Sequence, residues 1–151
     1  MPELPPVAVR ILRLGAGDVG LARATFGVMA EAFEDAPAPL SDAYLSDLLA
    51  RPGFWAFAAL EGGAPVGGLT AHTLPMTRSE SAELFIYDLA VHPAWQRRGV
   101  GRALVGAARD AAAAEGIRVA FVPADDEDDH AVRFYRALGG AGAPVTLFTF
   151  E

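Results

Sequence analysis

The sequence predicts one domain of the α/β (α+β) class, and three observations support that prediction. The chain has 151 residues, the size of a single domain with one hydrophobic core. Residues 83–91 are nearly all apolar, as in a central strand that is covered on both faces. An alanine-rich helix over residues 100–115 and a strand over 117–122 come next, so the central strand begins a strand, helix, strand unit.

Hydrophobic periodicity, caps and turn residues predict the other elements. Helices are expected from Asp18 to Phe33 and from Ser41 to Ala50, with Asp18 and Ser41 as N-caps. A further helix is expected over residues 129–138. Two of the expected strands are joined by a glycine-containing hairpin turn at Glu61–Ala64. The strands expected outside the central unit are residues 7–12, 54–60, 65–74 and 145–150.

Composition excludes several kinds of chemistry. The chain has no cysteine, which excludes disulfides, thiolate metal sites and cysteine nucleophiles. All twelve basic residues are arginines, which excludes the lysine of a P-loop and Schiff-base chemistry. A net charge of −7 and a pI near 4.9 favour a cationic or neutral small molecule as partner over nucleic acid or a membrane. Because the sequence lacks a signal-peptide pattern and any apolar run near the ~20 residues of a membrane span, we expect a cytoplasmic protein.

A turn rich in glycine and arginine lies between the central strand and the next helix. Residues 96–104 read QRRGVGRAL, and the first N–H groups of that helix lack partners within it, so they form a site for an anion. Arg97, Arg98 and Arg102 add positive charge, which suits a cofactor with a pyrophosphate. The Rossmann pattern fails because Leu104 occupies the third glycine position. The alternative is a basic helix cap whose glycines allow tight packing.

These residues resemble a known family. The segments LAV (89–91) and QRRGVG (96–101) are similar to the acetyl-CoA-binding motif of the GNAT superfamily of N-acetyltransferases, whose core pattern is Gln/Arg-x-x-Gly-x-Gly/Ala. A closer resemblance is to its type I aminoglycoside 3-N-acetyltransferases, the gentamicin-modifying branch. The matching stretches are SDAYL (41–45), IYDLAV (86–91), AD (124–125), DD (128–129), AV (131–132), Tyr135 and LG (138–139). The departures, at residues 93–95, 126–127 and 130, concern substrate range more than the reaction.

The resemblance implies both a fold and an activity. The fold is the GNAT fold, a central mixed, mostly antiparallel twisted sheet of six to seven strands with about four helices, splayed where acetyl-CoA binds. The activity is acetyl transfer from acetyl-CoA, without a metal, to an aminoglycoside amine, expected to be the 3-amino group of the 2-deoxystreptamine ring, with antibiotic resistance as its consequence. A homodimer is also implied. The implied cofactor contacts are Leu89, Ala90, Val91, Arg97, Arg98, Gly99, Val100, Gly101 and Arg102.

Carboxylates are the candidate groups for binding and deprotonating an amine. Asp88 interrupts the apolar central strand, where burial raises the pKa of a carboxyl. It also directly precedes Leu89, the first of the implied cofactor contacts. The alternative is a structural carboxylate paired with an arginine. Glu83 is a second candidate for the catalytic base, but strict alternation puts it on the opposite face of the strand unless a bulge intervenes. The substrate-binding candidates are Asp35, Asp88, Asp125, Asp128 and Asp129.

The acidic run at residues 125–129 has two interpretations. It follows the carboxyl end of a strand, where such sheets bind ligands, and a cation would relieve its repulsion. Alternatively it is a solvated loop in which an aspartate caps the next helix. A calcium loop fails because His130 and Arg136 occupy the positions that require glycine and glutamate.

Tyr135 and the histidines complete the set of candidates. By resemblance, the Tyr135 phenol protonates the departing CoA thiolate, whereas the alternative is a packing aromatic with a backbone partner. His72, His92 and His130 lack metal-ligand spacing, so structural or surface roles are expected. Two rival functions remain open: an acetyltransferase for a polyamine, another small amine or a protein N-terminus, and a non-catalytic module that senses acetyl-CoA.

Overall fold

The computed structural model describes residues 8–36 and 38–151, which form one five-stranded sheet with helices packed against it. Val7, where the first predicted strand begins, lies outside the described residues. The elements are β1 (Arg10–Arg13), α1 (Val19–Ala32), α2 (Asp42–Ala50), β2 (Phe54–Glu61), β3 (Ala64–Pro75), β4 (Ala82–Val91), a 3-10 turn (Pro93–Trp95), α3 (Val100–Ala114), β5 (Ala120–Phe121) and α4 (Asp129–Ala137). No helix among the described residues is long and apolar enough to cross a membrane.

The sheet is mixed and mostly antiparallel, as predicted. Its strands lie in sequence order, β1 to β5, and each pairs antiparallel with the next except β4 and β5, which are parallel. The turn between β2 and β3 contains Gly62 and Gly63 with φ of 57° and 83°. These left-handed conformations are those that a tight hairpin turn requires, so the predicted hairpin is confirmed.

Two apolar cores hold the helices on opposite faces of the sheet. On one face Trp55, Phe57 and Ala59 of β2 pack in a core that includes the apolar side of α3. On the other face Ala56 and Leu60 pack with α1 and α2. The alternation along β2 therefore divides the sheet into an α1/α2 face and an α3 face.

A bulge in β4 reverses the expected position of Glu83. The β3–β4 register shifts between Thr70 and Ala71, where Tyr87 becomes an extra residue of β4. Glu83 and Asp88 consequently share the α1/α2 face, so the strict alternation that separated them is wrong. The residues of β4 that pack in the α3 core on either side of the bulge are Leu84, Ile86, Leu89 and Val91.

Two predicted strands differ from the structure, and the strand count is five rather than six to seven. The strand expected over residues 117–122 is reduced to Ala120–Phe121. The strand expected over 145–150 does not form, and its apolar side chains are exposed. Its β-branched and aromatic residues predict strand propensity. A strand also needs a neighbour for its N–H and C=O groups, and within the described chain this segment has none.

The two predicted N-caps have different outcomes. Ser41 Oγ accepts a hydrogen bond from the Tyr44 amide at 3.1 Å, so it caps α2 as expected. The Asp18 carboxylate instead accepts from the Gly15 amide at 2.7 Å and makes no side-chain cap bond to α1. Asp18 therefore occupies the N-cap position, but the predicted side-chain cap is wrong because its carboxylate closes the preceding turn.

Candidate active site

A cleft of about 540 Å³ opens on the α1/α2 face of β3 and β4. Its size is within the range of small-molecule sites. Two of the predicted carboxylates, Asp35 and Asp88, line this cleft. Five phenylalanine and tyrosine side chains also line it: Phe26, Phe33, Tyr44, Phe54 and Tyr87. The cleft therefore combines negative charge with ring faces, both of which attract cations.

Asp88 lies in this cleft beside a histidine. Burial raises the pKa of the Asp88 carboxyl, and a smaller charge interaction with His72 opposes that effect in part. The ring of His72 makes edge-to-face contacts with Phe54, at 5.4 Å between ring centroids, and with Tyr87, at 5.6 Å. The charged neighbour that acts on the pKa of Asp88 is thus a histidine rather than the arginine expected in the alternative interpretation.

His72 is a cleft residue that sequence reasoning missed. The strand register would have revealed it. Thr70 of β3 lies opposite Asp88 of β4, and His72 is two residues further along β3, on the same face as Asp88. Such a register could be proposed from the sequence only by placing the bulge correctly, and nothing in the sequence marks Tyr87 as the extra residue. His92, by contrast, is structural, because its Nδ1 accepts from the Ala94 amide at 3.1 Å.

Glu83 shares a face with Asp88 but is not brought together with it. The two residues are separated by five positions along β4, which corresponds to roughly 15 Å of strand. Glu83 is also absent from the lining of the cleft. Of the two candidate bases, Asp88 is therefore the one that lies in the cleft.

The sheet opens between β4 and β5, next to Asp88. The two strands pair only at Leu84 with Ala120 and at Phe85 with Phe121. Beyond these pairs β4 continues to Val91 with β3 on one side and no β5 partner on the other. Within the described part of the chain, residues 86–90 thus have no strand partner on the β5 side, and this edge could receive an extended ligand by strand-like hydrogen bonds.

The turn that follows β4 presents backbone amides at the start of α3. Gly99 caps the helix in the left-handed conformation, with φ of 86°, and Arg97 is also left-handed at 60°. Left-handed residues that alternate with right-handed ones turn successive N–H groups toward one side, and these groups form a concavity for an anion. The side-chain amide of Gln96 donates to the Val91 carbonyl at 2.9 Å and holds the turn against the end of β4.

Close packing explains the second glycine of the turn. A Cβ atom on Gly101 would lie 3.1 Å from Cζ of Phe134 and 4.0 Å from a methyl of Val91. The start of α3, the end of β4 and α4 therefore meet at this residue. The backbone amides at the start of α3, the arginines around them and the open edge of β4 fit the pyrophosphate and pantetheine parts of acetyl-CoA.

Tyr135 lies on α4 next to Phe134, and so close to this junction. Burial raises the pKa of the Tyr135 phenol, and the charge of Asp128 adds to that effect. The phenol is therefore protonated near neutral pH and has a proton to donate.

The acidic run has the local structure of a capping loop. Asp128 Oδ1 accepts from the Ala131 amide at 3.0 Å and caps α4. Asp125 Oδ1 accepts from the Glu127 amide at 3.0 Å. These carboxylates and Asp129 are exposed and do not line the cleft. Within the described ranges, no cluster of three or more His, Asp or Glu side chains could hold a metal ion.

Together the fold and these features define an acetyltransferase, and comparison with known proteins identifies its family. Residues 22–139 match the Acetyltransferase (GNAT) family. The chain therefore belongs to the GNAT family, which uses acetyl-CoA as the acetyl donor. No curated protein sequence matches the chain significantly.

Solved structures of aminoglycoside acetyltransferases are similar to the chain over almost its whole length. One is HMB0005, from an uncultured soil metagenomic sample, with 36% identity, a TM-score of 0.91, and coverage of 96% of this chain and 99% of that chain. Another is meta-AAC0020, also from an uncultured soil metagenomic sample and in complex with sisomicin, with 32% identity, a TM-score of 0.91 and 95% coverage of both chains.

A more distant structure shares the fold alone. The ribosomal-protein-alanine N-acetyltransferase of Brucella melitensis biovar Abortus 2308 is 21% identical, with a TM-score of 0.77 and coverage of 95% of this chain and 99% of that chain.

Proposed function

We propose that this acetyltransferase transfers the acetyl group of acetyl-CoA to an amino group of an aminoglycoside. The proposed acceptor is the 3-amino group of the 2-deoxystreptamine ring, and antibiotic resistance is the proposed consequence. The observation that carries the proposal is the cleft with Asp35 and Asp88, which adjoins the open edge of β4. The 36% identity to an aminoglycoside acetyltransferase supports it, as does the sisomicin complex of another similar protein.

The lining of the cleft suits a substrate with several ammonium groups on sugar rings. Asp35 is exposed, so it can attract a cationic substrate from solvent, whereas Asp88 is partly buried and can bind one ammonium group more closely. The rings of Tyr44 and Tyr87 are exposed beside these carboxylates and offer apolar faces. A polycation built of sugar rings, whose C–H faces pack on aromatic rings, matches both features.

Asp88 is the proposed acceptor of the amine proton. A carboxylate with a raised pKa takes a proton more readily than an ordinary aspartate, and only the neutral amine is a nucleophile. The charge interaction with His72 lowers the pKa of Asp88 and so opposes the effect of burial in part.

Acetyl-CoA supplies the acetyl group as a thioester when it is bound. The amine nitrogen forms a bond to the carbonyl carbon as the bond from that carbon to sulfur breaks. The backbone N–H groups of β4 near Leu89 donate to the carbonyl oxygen, where negative charge develops. Tyr135 donates its phenolic proton to the thiolate and then takes a proton back from solvent. The proton that the substrate nitrogen gave to Asp88 passes from the carboxyl to solvent, so both side chains return to their starting states.

The test is thiol release from acetyl-CoA in the presence of gentamicin, spermidine or a peptide amine, with mass spectrometry and NMR of any product. Asp88→Asn should reduce gentamicin turnover by about 10²–10⁴-fold without loss of cofactor binding. Asp110→Asn, the same change on the exposed side of α3, is the matched control and should keep wild-type turnover. Tyr135→Phe should lower kcat more than it changes KM for the amine.

Each outcome selects one function. Acetylation of gentamicin at the 3-amino group supports the proposal in full, and acetylation at another position overturns only the position. Turnover of spermidine or the peptide without gentamicin would assign a different amine substrate. No product from any of the three amines, with acetyl-CoA still bound, would favour the sensing module.

A further inference from the structure

A line of rings crosses four strands on the α1/α2 face of the sheet. The strand register places Phe54 of β2 opposite His72 of β3. His72 lies opposite Phe85 of β4, and Phe85 lies opposite Phe121 of β5. The Tyr87 ring, at the bulge, lies 5.6 Å from the His72 ring and 5.7 Å from the Phe85 ring, and the rings of Phe85 and Phe121 stack at 5.0 Å. We call these five residues the aromatic row.

The aromatic row begins inside the cleft and continues beyond it. Phe54, His72 and Tyr87 line the cleft, whereas Phe85 and Phe121 lie outside its lining. The side chains of Tyr87 and Phe121 are 60% and 41% exposed, so the helices leave this part of the sheet open. Exposed aromatic surface that is continuous with a ligand cleft is typical of a further contact with the same ligand. The row therefore extends the surface of the cleft toward the last strand of the sheet.

Glu83 lies on the far side of the aromatic row from Asp88. Asp88 is opposite Thr70 and Glu83 is opposite Leu74, and the pair of His72 with Phe85 lies between these two pairs. Both carboxylates are on the α1/α2 face, roughly 15 Å apart along β4. In the part of the chain that the structure describes, none of the ion pairs involves Glu83. The open face thus carries a carboxylate on each side of a surface of rings.

We propose that the aromatic row and Glu83 form a second subsite, which binds a distal amino-sugar ring of the substrate whose reacting amine lies at Asp88. This inference rests on the proposed function. The C–H faces of the distal sugar pack on the exposed rings of Tyr87 and Phe121. Its ammonium group pairs with the Glu83 carboxylate. Glu83 is therefore a specificity-determining residue rather than the base.

The separation of the two carboxylates selects the length of the substrate. An ammonium group reaches Glu83 only from a ring that is distant from the amine at Asp88, because roughly 15 Å of strand lies between the two residues. The second contact is then made by a linked group and adds affinity without a change in the chemistry. Since this contact is equal in the ground and transition states, it lowers KM and leaves kcat unaffected. The subsite consequently favours aminoglycosides of three rings over those of two.

Steady-state kinetics with gentamicin, which has three rings, and neamine, which has two, test the subsite. Glu83→Gln should raise the KM for gentamicin by about fivefold, with no change in either kcat or in the KM for neamine. Glu80→Gln makes the same charge change on the exposed connection between β3 and β4, and as the matched control it should keep both KM values. Added salt should reduce the wild-type preference for gentamicin more than that of Glu83→Gln, because salt screens the ion pair.

Phe121→Leu tests the rings separately from the charge. It removes an exposed ring from the row and keeps an apolar side chain on β5. The KM for gentamicin should rise relative to that for neamine, while the salt dependence of the preference stays as in the wild type. Far-UV circular dichroism and thermal melting would check that each variant is folded.

The possible failures are distinguishable. If the wild type acetylates neither aminoglycoside, the proposed function fails and the subsite fails with it. If the wild type acetylates both and the Glu83→Gln and Phe121→Leu variants keep its preference, only the subsite is overturned. A fall in kcat for both acceptors in Glu83→Gln would also overturn it, because a group that acts on the reaction itself affects substrates of every length.

Discussion

Gly68→Ala should destabilise the protein because α1 packs directly over this residue. A Cβ atom at Gly68 would lie 2.6 Å from Sδ of Met29 and 2.6 Å from Cγ2 of Thr25, about 1 Å inside normal contact distance for each. Thr25 is fully buried and its hydroxyl donates to the Leu21 carbonyl at 2.8 Å, so it cannot turn aside without losing that bond. The expected cost is about 1–3 kcal/mol of unfolding free energy, or a decrease of roughly 3–8 °C in melting temperature.

Gly27→Ala is the matched control, since it adds the same methyl group within α1 where no atom lies within 4 Å. It should stabilise the protein by about 0.5–1 kcal/mol through helix propensity. Thermal and urea denaturation of both variants would measure this opposite pair of signs. A Gly68→Ala variant that is as stable as Gly27→Ala would refute the packing argument. Because Met29 also lines the cleft, Gly68→Ala should raise KM for the amine as α1 moves outward.

Three further changes test the site and the caps. Burial raises the pKa of Asp88, so the charged carboxylate destabilises the folded protein and Asp88→Asn should be more stable than wild type near neutral pH. In thermal melts at decreasing pH this advantage should vanish below the ordinary aspartate pKa of about 3.9. Ser41→Ala should lose about 1 kcal/mol in urea denaturation while Ser41→Asp keeps the cap; equal losses would contradict the capping role. Gly99→Ala should lower the unfolding free energy by about 1–2 kcal/mol because the φ of Gly99 is 86°, and it should weaken CoA binding in calorimetry. The control Gly106→Ala lies on the same helix with open space around it and should leave CoA binding unchanged.

The site divides into a part encoded locally and a part assembled by the sheet. The turn at residues 96–101 could be predicted as a candidate anion site because its properties come from consecutive residues: glycines at 99 and 101, arginines beside them and a helix that begins at residue 100. The cleft could be predicted only in part. Asp88 was recognised as a carboxylate in an apolar strand, but its neighbour His72 comes from a different strand, and their proximity depends on a register with a bulge.

The fold class, the four helices, the β2–β3 hairpin and the chain positions of the candidate cofactor residues could all be predicted, because periodicity, caps and turn glycines act within a few residues. Three features emerged from the folded molecule: Glu83 and Asp88 share a face, Asp35 and His72 line one cleft with Asp88, and the acidic loop caps α4. Among the residues that the structure describes, no strand pairs with residues 145–150. Strand pairing is a contact between distant segments, so a pattern that predicts a strand does not specify which edge, or which copy of the chain, completes it.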